Sequence, residues 1–401
     1  MQSSYYHHVI EKKVKFDGVE RNGALLPANI LLHWKQPGRV RHFRTAVSLH
    51  SHTLYSKETL AFIPRIARSF PPLAMEIERQ RGIYRDLKGV ELDFDRGWWT
   101  PPLTPAAAWH VEREQIGRLG LDAQISITDH DSIEAPLKLA PLNLQPEVPV
   151  SVEWTVPWRG TYFHVGVHNL PAADAQTMFT EMGRFTARPD ESRLGHLLDW
   201  FQEDPAVLIV WNHPFWDEAA IGSRMHRTHA LEFLQLHKRR LHALEINGFR
   251  PWKENLLTVD LSKESAAPVI SGGDRHGREP NACLNLTNAR TFAEFAAEVR
   301  CDGRSEILLM PQYKKSHSSR IFFNLLDILR DDPDHGMGWR RWSDRVFYQE
   351  PENRVRSLAD HWEGEYPFFV TAFTRILGLL QSSAMRSALQ LAVAFRQEPL
   401  P

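Results

Sequence analysis

The chain has 401 residues, enough for one large barrel-sized domain with additions or for two ordinary domains. A hydrophobic fraction of 42% and a charged fraction of 24% are those of a globular protein, and a formal net charge of −1 provides no global basic field for tight binding to nucleic acid. Two cysteines, Cys283 and Cys301, are too few for a disulfide framework and lack zinc-site spacing, which fits a reducing compartment.

Residues 1–44 alternate apolar and polar positions between the turn signals Asp17-Gly18, Asn22-Gly23 and Pro37-Gly38, so two or three short strands are expected, an N-terminal β extension. The opening stretch MQSSYYHHVIEKKVKF has no apolar core of signal-peptide length, and no run is long enough to cross a bilayer. A cytoplasmic location without a membrane partner is therefore expected. Thr45–Leu49 is a short β-favouring run that delivers His50 and His52 at its end, where residues two apart point the same way and can reach one metal ion. The block 57–100 reads as an insertion over the mouth of a site. It holds a helical turn or two at 60–66, a short strand at 90–94, and the aromatic, proline-rich Trp98-Trp99-Thr100-Pro101-Pro102.

Thr104 then opens a helix as N-cap, with Pro105 at its first position and Gly120 just past its end. After it come strand-like runs bearing chemistry: 124–127 leading to Asp129, His130 and Asp131; 148–154 ending in Glu153; 161–168 with His164 and His168; AVLIVWNHP ending in His213; HALEINGF with Glu245 and Asn247; and APVISGGDRHG ending in Asp274 and His276. Helical segments at 192–202, 227–240 and 292–300 lie among them. Strands alternating with helices predict an α/β fold with a mostly parallel sheet, open or closed into a barrel. From Pro311 the pattern turns helical, with amphipathic pieces at 322–329 and 368–395. This C-terminal appendage, 311–401, could pack on the barrel or on a second subunit.

Imidazoles and carboxylates gathered at the carboxyl ends of such strands make a site for several divalent cations, Mn2+, Zn2+ or Fe2+. A carboxylate such as Glu153 can bridge two of them, and two close ions can hold a hydroxide and clamp a phosphate. No nucleophilic Ser or Cys motif, P-loop or dinucleotide fingerprint competes.

The motifs HSHT, ITDHD, Glu153 followed by His164, NHP and GDRH, in that order, resemble those of the PHP (polymerase and histidinol phosphatase) domain across residues 45–305 or so. The resemblance implies a distorted seven-stranded β/α barrel at about 45–310, two or three metals, and phosphoester hydrolysis by a metal-bridging hydroxide. It implies His50, His52, Glu153 and Asp274 as ligands of a first metal, Glu153, His164 and His213 of a second, and His130 and His276 of a third. Glu153, Asp274 and His276 would take part in catalysis, an Asp or His near the rim protonating the leaving oxygen. One step departs from the family. A carboxylate is expected soon after HSHT, and the chain reads Ser56-Lys57-Glu58 there. Either Asp93 or Asp95 of the insertion supplies it, which is the favoured reading, or the Lys57 ammonium holds substrate phosphate instead. Arg250 and Arg275 are further candidates for meeting a phosphate bidentately. His168 reads as a core or rim residue, and His226, His229, His237 and His242 as surface residues.

The expected substrate is a phosphomonoester, a nucleotide or an oligonucleotide end, with small substrates favoured if the insertion covers the mouth. The rivals are a metal hydrolase of C–N or C–O bonds and a non-catalytic PHP scaffold.

Overall fold

In the computed structural model the described residues are 27, 29–61, 63–64, 71–350, 352–362, 368–382, 385, 387–389 and 397–400. Most of the expected N-terminal extension, part of the turn expected at 60–66 and much of the stretch after 382 lie outside them.

The strands are β1 (Ile30–Leu32), β2 (Thr45–Ser48), β3 (Glu58–Thr59), β4 (Gly97–Trp99), β5 (Asp122–Ile125), β6 (Val152–Trp158) and β7 (Thr161–His168) in the first half. They continue with β8 (Leu208–Asn212), β9 (Ala243–Asn247), β10 (Val269–Gly272), β11 (Cys283–Thr287), β12 (Glu306–Leu309), β13 (Val346–Gln349) and β14 (Val355–Ser357). They form three sheets, ordered β1-β12-β11-β2-β5, β10-β9-β8-β7-β6 and β14-β13-β4-β3. The α/β class is as expected. Among the described residues, however, the regular strand ladders do not close into a barrel.

Nor is the sheet mostly parallel. In the two five-stranded sheets the pairs β1–β12, β2–β5, β8–β9 and β9–β10 are parallel, while β6–β7, β7–β8, β11–β12 and β2–β11 are antiparallel. The reason at β6–β7 is local. Arg159 and Gly160 both take positive φ, 47° and 81°, the two-residue turn that joins antiparallel strands directly. The helix after Thr104 forms over Pro105–Arg118, its cap oxygen accepting from Ala107 N, and Gly120 follows at φ 74°. No strand forms at 90–94; Asp93 caps a single 3-10 turn, Phe94–Arg96, ahead of β4.

Side-chain alternation sorts the two faces of the second sheet. Trp154, Val156 and Trp158 of β6, Phe163 and Val165 of β7, and Trp211 of β8 pack outward with Phe185, Phe201 and Phe233 of the surrounding helices. The opposite face changes character along its length. At one end Leu208, Val210, Ala243 and Ile270 pack, together with Val47 of β2 and Leu49 just after it, on the helix Phe292–Arg300. At the other end the same face carries Glu153, His164 and Glu245.

Two seams join the five-stranded sheets just beyond the regular ladders. On one, Ser51 bridges Arg275, Gly273 N donates to Leu49 O, and Asp274 N donates to His50 O. On the other, His130 bridges Glu153, and Asp131 N donates to Glu153 O. Beyond Pro311 the chain is not helical throughout. β13 pairs with β14 and with β4, so the C-terminal region and the insertion share one sheet. Among the described residues, no helix is long and apolar enough to cross a membrane.

Candidate metal centre

Glu153 is the hub. It is fully buried and enters from the start of β6, not from its end, because β6 begins at Val152. Its Oε2 lies 2.9 Å from His50 Nε2, 3.2 Å from His130 Nε2 and 3.3 Å from His52 Nε2. Its Oε1 accepts from Asn212 Nδ2 at 2.9 Å and lies 3.2 Å from His213 Nε2 and 3.6 Å from His164 Nδ1. His164 is likewise not at a strand end. It lies mid-strand in β7, opposite Thr155 and Asn212, and reaches Glu153 because β7 runs back along β6.

The other candidate ligands follow strands. His50 and His52 come after β2, His213 directly after β8, and Asp274 and His276 after β10. Asp274 Oδ1 stands 3.6 Å from His50 Nε2 and 3.4 Å from His52 Nε2. Three of these residues, His50, His213 and Asp274, have positive φ of 60°, 26° and 55°, a conformation that costs energy in non-glycine residues and clusters where function demands it.

The carboxylate missing from the sequence reading is Glu58. Its Oε2 lies 3.2 Å from His276 Nε2 and 3.7 Å from His130 Nε2, and Ser56 Oγ donates to its Oε1 at 2.6 Å. Asp93 and Asp95 do not reach this cluster. Both are exposed, and Asp93 is spent on capping Asp95 N. Lys57 does not reach it either: it precedes β3, and its ammonium lies over the Trp98 ring, 5.1 Å from the centroid.

The arginines part company. Arg275 is buried and turned away, its Nε donating to Glu112 Oε1 at 3.1 Å and its Nη1 to Gly277 O. Glu112, which the sequence did not single out, also accepts from Ser48 Oγ and Asn281 N, so this pair braces the strand ends. Arg250 does face the centre. Its Nη2 is 3.4 Å from Asp274 Oδ2 and its guanidinium lies 3.6 Å from the centroid of Trp216. His168 is a core residue, its Nδ1 at 2.8 Å from Ser126 Oγ. His226 and His237, expected on the surface, are buried against the outer core; His226 Nε2 meets Pro214 O and His237 packs on Trp158 and Phe233.

Two further carboxylates stand behind imidazoles of the cluster. Glu245 Oε2 lies 2.7 Å from His50 Nδ1, and Glu218 Oε2 lies 3.2 Å from His164 Nε2, leaving the opposite ring nitrogen of each facing Glu153. A carboxylate behind an imidazole fixes its tautomer and raises its basicity, the common support of a metal-ligating histidine. Glu245 was visible at a strand end in the sequence, but nothing there linked it to His50.

The donor set fits divalent cations. His52 Nε2 is buried with Glu153 and Asp274 oxygens nearby, yet it makes no hydrogen bond. Its ring stacks on His276 at 4.2 Å and on His130 at 4.8 Å. Burial, then the His276 charge, pushes His52 down to about 3. Burial works against ionising Glu153, but His50, His130 and His164 hold it well below the usual carboxylate range. Four groups bring their donor atoms within 4.8 Å of one another: His50, His52 and Asp274; His50, Glu153 and His213; His130, Glu153 and His164; and His52, Glu58, His130 and His276.

No known family model matches the chain, and no curated protein matches it. Among solved structures it is similar to a candidate metal-dependent phosphoesterase from Bifidobacterium adolescentis, at 14% identity and a TM-score of 0.34, over 65% of this chain and 99% of that one. It is also similar to an amidohydrolase from Chromobacterium violaceum, solved with sulfate and without metal, at 13% identity and a TM-score of 0.33, over 50% of this chain and 93% of that one. Likenesses this distant carry no weight for function, which has to come from the side chains of the site itself.

Proposed function

We propose that the chain is a metal-dependent hydrolase of the PHP type that cleaves phosphoesters. The observation that carries this reading is Glu153, a buried carboxylate with three imidazoles around one oxygen and two around the other. Such a group can serve two cations at once. His50, His52, Glu153 and Asp274 would hold one, Glu153, His164 and His213 a second, and His130, His276 and Glu58 a third, with Mn2+, Zn2+ and Fe2+ all suited to this nitrogen and oxygen set. Divalent cations bound there supply activation of water and stabilise charge on phosphoryl oxygens.

The protein's own contribution is orientation and charge. Glu245 accepts from His50 Nδ1–H and Glu218 from His164 Nε2–H, so the remaining nitrogens keep their lone pairs toward the centre. Arg250, with its guanidinium over the Trp216 ring and no hydrogen-bond partner for Nε among the described residues, has the donors to grip a phosphate. That guanidinium beside the ligands supports phosphoesters over amides or lactones, since it neutralises charge that neutral substrates lack. The insertion strands beside His276 favour a phosphorylated small molecule or a nucleotide over a long polymer.

The test is a panel of phosphomonoesters, nucleotides and oligonucleotide ends against amides and lactones, with each metal supplied in turn. Phosphoester turnover is expected, and Glu153→Gln should lower it roughly a hundredfold or more in a folded protein. Arg250→Ala should raise KM with the bound-metal count unchanged. Activity confined to amides or lactones sinks the phosphoesterase reading, and a folded wild type that binds no ion supports the scaffold.

A further inference from the structure

Glu58 belongs to a strand of only two residues, and a strand that short does not stand alone. β3 is the edge of the third sheet. Glu58 pairs with Trp99 and Thr59 with Trp98 on β4. β4 in turn is held by β13, with Val346 opposite Trp99, Phe347 opposite Trp98 and Tyr348 opposite Gly97. Further contacts fasten the same junction: Thr100 N donates to Arg345 O, Leu60 N donates to Gly97 O, and the Trp98 and Phe347 rings stack at 5.8 Å. The base of β13 is anchored by the buried Arg345, whose Nη2 donates to Ile328 O and Arg330 O. The chain that positions Glu58 therefore runs through residues nearly three hundred positions away.

We propose that the C-terminal region is a working part of the metal centre: β13, by holding β4 and through it β3, sets the Glu58 carboxylate against His130 and His276, so that this cluster's capacity for a cation depends on β13. The proposal rests on the metal-hydrolase reading. It makes Tyr348 and Phe347 positioning residues, since neither is a ligand. It also gives the four-stranded sheet a role, that of bringing a further carboxylate to His52, His130 and His276.

The experiment is metal counting on the full chain, by elemental analysis after loading with Mn2+ or Zn2+ and dialysis. Glu58→Gln should lose one ion relative to wild type and keep the others. Tyr348→Pro should lose the same ion, because β13 is paired on both sides and proline removes a ladder hydrogen bond wherever the amide points. Phe347→Ala, a milder change, should keep the fold and weaken that ion's affinity roughly tenfold to a hundredfold. Circular dichroism and a thermal melt check the fold of each variant. Wild-type stoichiometry and affinity in Glu58→Gln, or in both Tyr348→Pro and Phe347→Ala, overturn the proposal and leave the hydrolase reading standing. A wild type that holds no ion overturns both.

Discussion

Glu58 and Lys57 show how much one residue decides. The sequence places a lysine where a carboxylate belongs, and the search for a substitute runs to Asp93 and Asp95. The answer is the adjacent residue: Glu58 opens a strand of two residues, too short to show any periodicity, while Lys57 precedes it and rests on Trp98. The histidines were legible because strand-end HxH, DH and HP steps recur; the carboxylates behind them, Glu245 and Glu218, were not, since only folding brings them to His50 and His164. Arg275 is the converse case, a motif residue used for bracing. Arg275→Met leaves Glu112 buried without its cation and should cost about 3–5 kcal/mol in denaturant unfolding, with the metal count unchanged. A metal count that falls with stability unchanged would return Arg275 to the site. Outside the centre, burial and then the Arg240 charge push His237 down to about 4. Its ring stays neutral when folded, whereas the unfolded chain takes up a proton near pH 6.5. The folded state thus keeps its full stability above about pH 6.5 and loses up to roughly 3 kcal/mol as pH falls toward 4. His237→Leu should flatten that stretch of a stability–pH curve, and an unchanged slope argues against the assignment.

Elements were easier to place than their directions. The strand Thr161–His168 and the helix Phe292–Arg300 form where the sequence put them, but β7 runs antiparallel because two positive-φ residues close a direct hairpin. Alternating apolar runs carry no sign of direction, so a parallel sheet was the expectation. β13 and β14 escaped notice for a similar reason: their side chains are mostly half-buried, and pairing, not periodicity, defines them. At the end of β10, Gly272 and Gly273 are required by close approach. A methyl at Gly272 would come within 1.9 Å of Glu245 Oε2, and one at Gly273 within 1.8 Å of Asn281 Cγ. Asn281 Nδ2 holds Ser48 Oγ and Leu49 O, so Gly273→Ala should disturb the approach of His50 from the other strand. Expected are a loss of several kcal/mol and weaker metal binding together; wild-type melting would contradict it.

At the scale of the molecule, the candidate ligands span His50 to His276 and come from both five-stranded sheets and the steps just beyond their strands. Cations that bind only the assembled pair stabilise it by linkage, about 2.7 kcal/mol per site at a hundredfold excess over Kd. A chelator should therefore lower the melting temperature, by an amount that grows with the number of ions removed. A melt indifferent to chelation argues against a metal centre.

The seams give this a kinetic side. His50 and Asp274 on one, and His130 and Glu153 on the other, contribute both the backbone links between the sheets and the side chains of the centre. Ions there would act as rivets through two overlapping plates. Withdrawing them should let the plates breathe along the seams while each remains intact, so amide exchange at Asp274, His52 and Asp131 should quicken well before that of β8 and β9. Because the centre needs groups from both sheets, an ion held there would report that the two have met.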